Sequence, residues 1–240
     1  MKAVILCAGS GRRLYPLTKD SPKCLLSIGN KRILEHMLDN LRAAGIHEIV
    51  LVTGYIREKI EALVQERAYQ GIEYVVNEKF DTTNTAYSLN LSLKSLDSDF
   101  ILLNGDVLFD QSILDELLDH SAENCVVVDN TISLAQEEVK VTAENGRIRR
   151  IGKDLDPKVS LGEAIGINKI SYKTIPQLRA VFDELERRGE ELHFFEKGFD
   201  ELCIKEENFG ILLTDKPWVE IDTREDFQLA KEKIYPMLDS

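Results

Sequence analysis

The strongest constraint on the fold is a set of short apolar runs with no polar face. "KAVILC" (2–7), "EIVLVTG" (48–54), "IEYVVN" (72–77) and "DFILLNGD" (99–106) alternate with amphipathic stretches at 33–44, 57–67, 86–96 and 111–121. A strand that is apolar on both sides must be covered on both sides, and alternation with helices makes the sheet mostly parallel. The expected fold is therefore α/β: a Rossmann-like, mostly parallel sheet flanked by helices. Ligands of such sheets sit at the carboxyl ends of the strands. The loop after residue 7 and Asp106 both fall there. Beyond residue 125 the texture changes to short strands, "CVVVDN", "EVKVTAENGRIRRIG" and "EAIGINKIS", with a turn at "ENG". This predicts a smaller antiparallel extension. A helix over 174–188, a strand over 218–222 and a closing helix from Arg224 complete the reading.

Composition narrows the partners. The chain of 240 residues is 43% hydrophobic and 30% charged, with a formal charge of −12. That sign disfavours nucleic acid and anionic membranes. No apolar run approaches the roughly 20 residues of a membrane span, and the opening run is too short for a secretory signal. Cys7, Cys24, Cys125 and Cys203 show no CxxC pairing and the four histidines no metal-ligand spacing, which argues for reduced thiols in the cytoplasm.

Against that acidic background, "ILCAGSGRRLYPLTKDSPK" (5–23) gathers Arg12, Arg13 and Lys23 around Gly9 and Gly11. Glycines after a strand let backbone N–H groups approach an anion. The string is not a Walker A loop, and as a dinucleotide fingerprint it has Leu14 in place of the last glycine, with no ribose carboxylate after the second strand. Arginine forks and a mobile lysine charge suit polyphosphate.

The stretch resembles the GxGxRLxPLTxxxPK signature of nucleotidyltransferases (pyrophosphorylases) that activate sugar phosphates and related phosphates. Gly9, Gly11, Arg13, Leu14, Pro16, Leu17, Thr18, Pro22 and Lys23 all match. The resemblance implies attack of an acceptor phosphate on the α-phosphorus of a nucleoside triphosphate, with release of pyrophosphate. It implies that Arg13 and Lys23 embrace the phosphates, and that Leu6, Ala8, Gly9, Gly11 and Arg12 line the nucleotide site. In this family the acid after the GD-type strand and the acid of a late I-D strand hold Mg²⁺. Here these are Asp106 and Asp222, with Glu220 as a third candidate for the metal and as a contact to the substrate. Alternation places Trp218, Glu220 and Asp222 on one strand face.

"FDTTNTAYSLNL" (80–91) carries Thr82, Thr83, Asn84, Tyr87 and Ser88 at a helix entry, where Thr83 or Asn84 would also serve as a cap. "TNTAYSL" resembles the TNxxYSL pattern of bacterial choline-phosphate cytidylyltransferases, which use CTP. That likeness puts Thr83, Asn84 and Ser88 at the nucleotide, and Asn84 and Tyr87 at the acceptor. "EEVKV…NGRIRRIGKDL…GEAIGI" is similar to relatives that load CTP with aminoethylphosphonate or inositol phosphate. It implies Lys153 at the acceptor phosphate, with a catalytic role, and Glu163 at the acceptor's polar end. A carboxylate suits an amine or choline head.

The expectation is one nucleotidyltransferase domain over 1–240, with 1–124 and 215–240 as the nucleotide-binding core and 125–214 as the acceptor side. Its partners would be a nucleoside triphosphate, CTP first, and a small phosphomonoester or phosphonate; a homodimer is left open. Two alternatives stay open as well: a hexose-1-phosphate nucleotidyltransferase using dTTP or UTP, and a non-catalytic nucleotide-sensing module. A pure sensor has no need of both metal acids.

Overall fold

In chain order the elements are β1 (Lys2–Cys7), β2 (Ser27–Ile28), β3 (Lys31–Arg32), α1 (Ile33–Ala43), β4 (Ile49–Thr53), α2 (Arg57–Glu66), β5 (Ile72–Val76), α3 (Thr85–Ser92), β6 (Phe100–Asn104), β7 (Val107–Phe109), α4 (Gln111–Asp119), β8 (Asn124–Asp129), β9 (Lys140–Glu144), β10 (Arg147–Gly152), β11 (Gly162–Ile170), α5 (Ile175–Arg187), α6 (Glu196–Ile204), β12 (Phe209–Thr214), β13 (Trp218–Glu220), α7 (Arg224–Leu229) and α8 (Tyr235–Leu238). The computed structural model describes residues 1–190 and 192–238; Glu191, Asp239 and Ser240, which the expected domain bounds include, lie outside the described residues.

Nine strands form one sheet in the order β5-β4-β1-β6-β11-β8-β12-β10-β9. The first four are parallel, as the two-sided apolarity of β4, β1 and β6 demands, and β5 closes this edge half-buried. Along β1 the side chains alternate between two cores. Ala3, Ile5 and Cys7 pack with α1, α2 and α4, while Val4 and Leu6 pack with α3, α5 and α6. Both sets are almost wholly buried, which is why the run has no polar position.

The expected extension beyond residue 125 continues this same sheet, mostly through antiparallel pairs. β11 runs antiparallel between β6 and β8, and β12 lies parallel to β8 over six residue pairs. β9 pairs with both β10 and β11, so β11, β8, β12, β10 and β9 close on themselves. The register of β11 against β8 shifts between Ala164 and Asn168, around Gly166. Gly166 has φ 75° and its Cα faces the Asn104 side chain, where a Cβ would come within 2.7 Å of the amide. Five elements had no counterpart in the sequence reading: α6, β12 and the short strands β2, β3 and β7. The closing helix is not uniform, because residues 230–234 form a π-helical turn between α7 and α8.

Candidate active site

The glycine loop leaves β1 at its carboxyl end. Gly11 takes φ 59°, a left-handed conformation that favours glycine, and the buried Thr18 hydroxyl donates to its carbonyl at 2.7 Å. Leu14, fully buried, anchors the following turn. Gly9 is different: a Cβ there would meet nothing within 4 Å, so packing does not demand glycine at that position. The exposed backbone at Gly9 keeps a side-chain-free approach for an anion. From the other end of the chain, Arg224 donates to the Tyr15 carbonyl at 2.6 Å and holds the loop down.

Asp106 follows from the turn between β6 and β7. A Cβ at Gly105 would lie 2.5 Å from the Leu6 carbonyl oxygen, so only glycine lets this turn lie across the end of β1. β7 then pairs antiparallel with β13, Val107 opposite Glu220, and the Ile221 N–H donates to the Asp106 carbonyl at 3.0 Å. That short ladder brings residue 222 to residue 106. The strand stops at Glu220, so Asp222 enters from the turn into α7 and not from the strand face expected above. Thr223 and Asp226 form a reciprocal capping box that fixes this turn.

Four of the charges expected at the site meet. Lys23 Nζ contacts Asp106 Oδ2 and lies 2.7 Å from Asp222 Oδ1, while Arg13 Nη2 lies 2.7 Å from Asp222 Oδ2. Burial works against the Lys23 ammonium, yet Asp106 and Asp222 raise its pKa above the ordinary value. Burial likewise pushes Asp222 up, but Lys23 and then Arg13 outweigh it and hold the carboxyl below its usual range. Glu220 is beside them with no ion pair among the described residues, and Lys23 opposes its shift only in part. Burial, then the Asp106 and Asp222 carboxylates, drive its pKa well up, and its polar contact is the Asn104 amide at 3.4 Å.

The donor set suits a hard dication. Asp106 and Asp222 share one ammonium, and Asp106 Oδ1 is a buried oxygen with no hydrogen-bond partner. Among the described residues no group of three or more His, Cys, Asp or Glu side chains could hold a metal. Two carboxylates with water and phosphate oxygens completing the shell is how Mg²⁺ is commonly held.

A second group of charges sits on the strands past β8. Glu163 faces Asp129 across β8 and Lys140 across β9 and is 9% exposed. Burial, then Glu138 and Asp129, push its pKa to about 7 against Lys153 and Lys140. Lys153 follows β10, and its ammonium lies 4.6 Å over the Phe194 ring, a cation–π contact. Trp218 Nε1 donates to Asp129 Oδ2 at 2.8 Å, which links this group to β13.

The expected residues at 83–88 have structural duties. Asn84 accepts from the Thr85 N–H as N-cap of α3, at 2.8 Å, and donates to the Leu192 carbonyl. Buried Asn77 donates to the hydroxyls of Thr83, at 3.1 Å, and Ser88, at 3.0 Å. Tyr87 lies beneath the Lys79 ammonium. Leu6 and Ala8 are buried at the start of the loop, and Arg12 is exposed, its side chain without an ion pair among the described residues.

Two residues at the site were not in the sequence reading. Phe194 and Glu196 come from a strap that docks on α3: the Ala86 N–H donates to His193 and the Phe195 N–H to Thr85 Oγ1. Glu196 is 5% exposed and its Oε2 has no partner. Burial pushes its pKa to about 7; Lys153 opposes the shift and Asp106 adds to it. The signal available was helical spacing of Phe195, Phe199, Leu202 and Cys203, one buried stripe of α6.

Residues 2–152 match the model of the nucleotidyl transferase family. The chain belongs to that family. CTP:phosphoglutamine cytidylyltransferase of Campylobacter jejuni is 29% identical over 97% of this transferase and 100% of its own length. A bifunctional protein GlmU of Methanococcus vannielii is 39% identical over 54% of this chain, which matches only 30% of that longer protein. The solved structure of the CTP:phosphocholine cytidylyltransferase of Streptococcus pneumoniae (LicC) superposes with a TM-score of 0.80, at 24% identity, over 96% of this chain and 97% of that one. The fold of the transferase is thereby shown: a mixed α/β nucleotidyltransferase fold, largely parallel with antiparallel strands. None of its described helices is long and apolar enough to cross a membrane.

Proposed function

We propose that this nucleotidyltransferase condenses CTP with a small phosphorylated alcohol or amine, giving a CDP-linked product (a CMP adduct for a phosphonate) and pyrophosphate. The observation that carries the reading is the meeting of Arg13, Lys23, Asp106 and Asp222 at the carboxyl end of the sheet. A nucleotide sensor would need the cations but not both acids. The preference for CTP rests on relatives that use it, the Campylobacter and Streptococcus enzymes.

In this reading the backbone at Gly9 and Gly11 and the side chains of Arg12, Arg13 and Lys23 receive the triphosphate. An oxygen of the acceptor phosphate attacks the α-phosphorus, the new P–O bond forms in line, and the bond to the β-phosphate oxygen breaks. Arg13 and Lys23 offset the charge that builds on the departing pyrophosphate, the main task in such transfers. Asp106 and Asp222 would hold Mg²⁺, which when bound supplies Lewis-acid neutralisation at the α-phosphate. Lys153 steadies the acceptor phosphate. Glu163 takes the acceptor's polar end, and a cationic head would keep its carboxyl ionised. Glu220, buried beside Asp106 and Asp222, would face the substrates from the same side. The four cysteines are buried free thiols, in keeping with a reducing cytoplasm.

The test is a nucleotide-by-acceptor matrix with Mg²⁺, scored by pyrophosphate release. CTP with an amine-bearing phosphomonoester or phosphonate is expected to give the fastest release. No release from any pair overturns the proposal, and fastest release with dTTP or UTP and a hexose 1-phosphate replaces it.

A further inference from the structure

We infer that Lys23 is the resident counter-ion of the divalent-cation site, and that it leaves the two aspartates for the triphosphate when metal and nucleotide bind together. This rests on the reading of Asp106 and Asp222 as metal ligands, and adds to it a binding order.

Three of the four carboxylate oxygens already have a cationic partner. Lys23 Nζ occupies Asp106 Oδ2 and Asp222 Oδ1, and Arg13 occupies Asp222 Oδ2. Only Asp106 Oδ1 has none. A Mg²⁺ ion needs carboxylate oxygens at about 2.0–2.1 Å, in the space between the aspartates where the ammonium now stands. A dication and an ammonium cannot share that space, because their repulsion at contact distance is large in a site this poorly hydrated. Lys23, Asp106 and Asp222 have side-chain exposures of 16%, 16% and 24%.

Metal alone therefore has to displace a buried ammonium that then lacks an anion, a costly state. Metal arriving with a triphosphate removes that cost, since the phosphates take over both cations as the aspartates take the metal. The charge balance closes before and after: two cations against two aspartates, then the dication on the aspartates and the same two cations on phosphate. The backbone at Lys23 is suited to a side-chain swing. It starts a single helical turn fixed by the Leu26 N–H on the Lys23 carbonyl at 3.0 Å and by buried Cys24, so only the flexible stem needs to move. Arg13, 62% exposed, is the looser of the two cations.

The test measures Mn²⁺ binding to the full nucleotide-free chain by calorimetry. Lys23→Met should tighten Mn²⁺ by about tenfold, and Arg13→Met by clearly less. In the wild type a non-hydrolysable α,β-methylene analogue of CTP should tighten Mn²⁺, and Lys23→Met should shrink that enhancement. Unchanged or weaker Mn²⁺ binding by Lys23→Met overturns the inference. So does a gain that survives addition of Asp222→Asn, which would put the metal elsewhere. Circular dichroism checks the fold, and Lys23→Gln replaces the methionine variant if that one is unfolded. No pyrophosphate release together with an Mn²⁺ gain defeats the proposed function and leaves the exchange standing; release without a gain defeats the exchange alone.

Discussion

The two halves of the site treat charge in opposite ways. At the glycine loop every acid but Glu220 is matched: Asp222 holds two cations and Asp106 one. On the strands past β8 and at the start of α6 the balance fails. Glu163 and Glu196 are buried, and their carboxyls are pushed up to about 7. Lys153 is the cation both feel, and its ammonium rests on an aromatic face. A matched cluster is organised before any ligand arrives, which suits a step common to all substrates. An under-neutralised one awaits charge from outside, which suits recognition of a particular acceptor.

The comparison is broken most severely at the matched end. Asp106→Ala or Asp222→Ala should lower kcat/KM by about a thousandfold or more while circular dichroism stays native. Near-normal turnover in steady-state pyrophosphate assays would remove that aspartate from the metal site. Lys23→Ala should cost about a hundredfold and weaken CTP, with unchanged kinetics refuting its contact with phosphate.

At the other end the effect moves to one substrate. Glu163→Gln is expected to raise KM for an amine-bearing acceptor about tenfold and to change KM for CTP less than about twofold. A parallel rise in both would show that the two ends are not separate. The smallest effect is in stability. Glu196 has a pKa near 7 in the folded chain against 4.5 in the unfolded one, so the folded state keeps the proton more tightly. Its contribution is present in full below about 4.5 and is lost as pH rises toward 7. Urea unfolding at pH 5 and pH 8 should show a fall that Glu196→Gln reduces by about 1–3 kcal/mol. An unaltered fall would assign the pH response to other groups.

What could be read from the chain follows from where the information lies. β1, β4 and β6 were visible because burial on both faces leaves a local trace, an unbroken apolar run. The loop and its cations were visible because they are contiguous. β12 has an apolar run too, "FGILLT", but its place beside β8 is a long-range pairing that leaves no local mark. The same holds for β7 with β13, three residues each, whose ladder carries Asp106 to Asp222. Asn84 was legible as a cap because capping is local chemistry. Phe194 and Glu196 were not, since their weight comes from a strap folded onto α3, more than a hundred positions away.

That ladder also bears on how the protein is made. Lys23 and Asp222 are separated by 199 positions, and the pair forms only when β13 has docked on β7. Synthesis runs from the amino terminus, so the cationic loop and Asp106 emerge from the ribosome long before Asp222. A nascent chain lacking residues 218–222 has no complete charge cluster, so on the proposed mechanism activity waits until translation has passed that point.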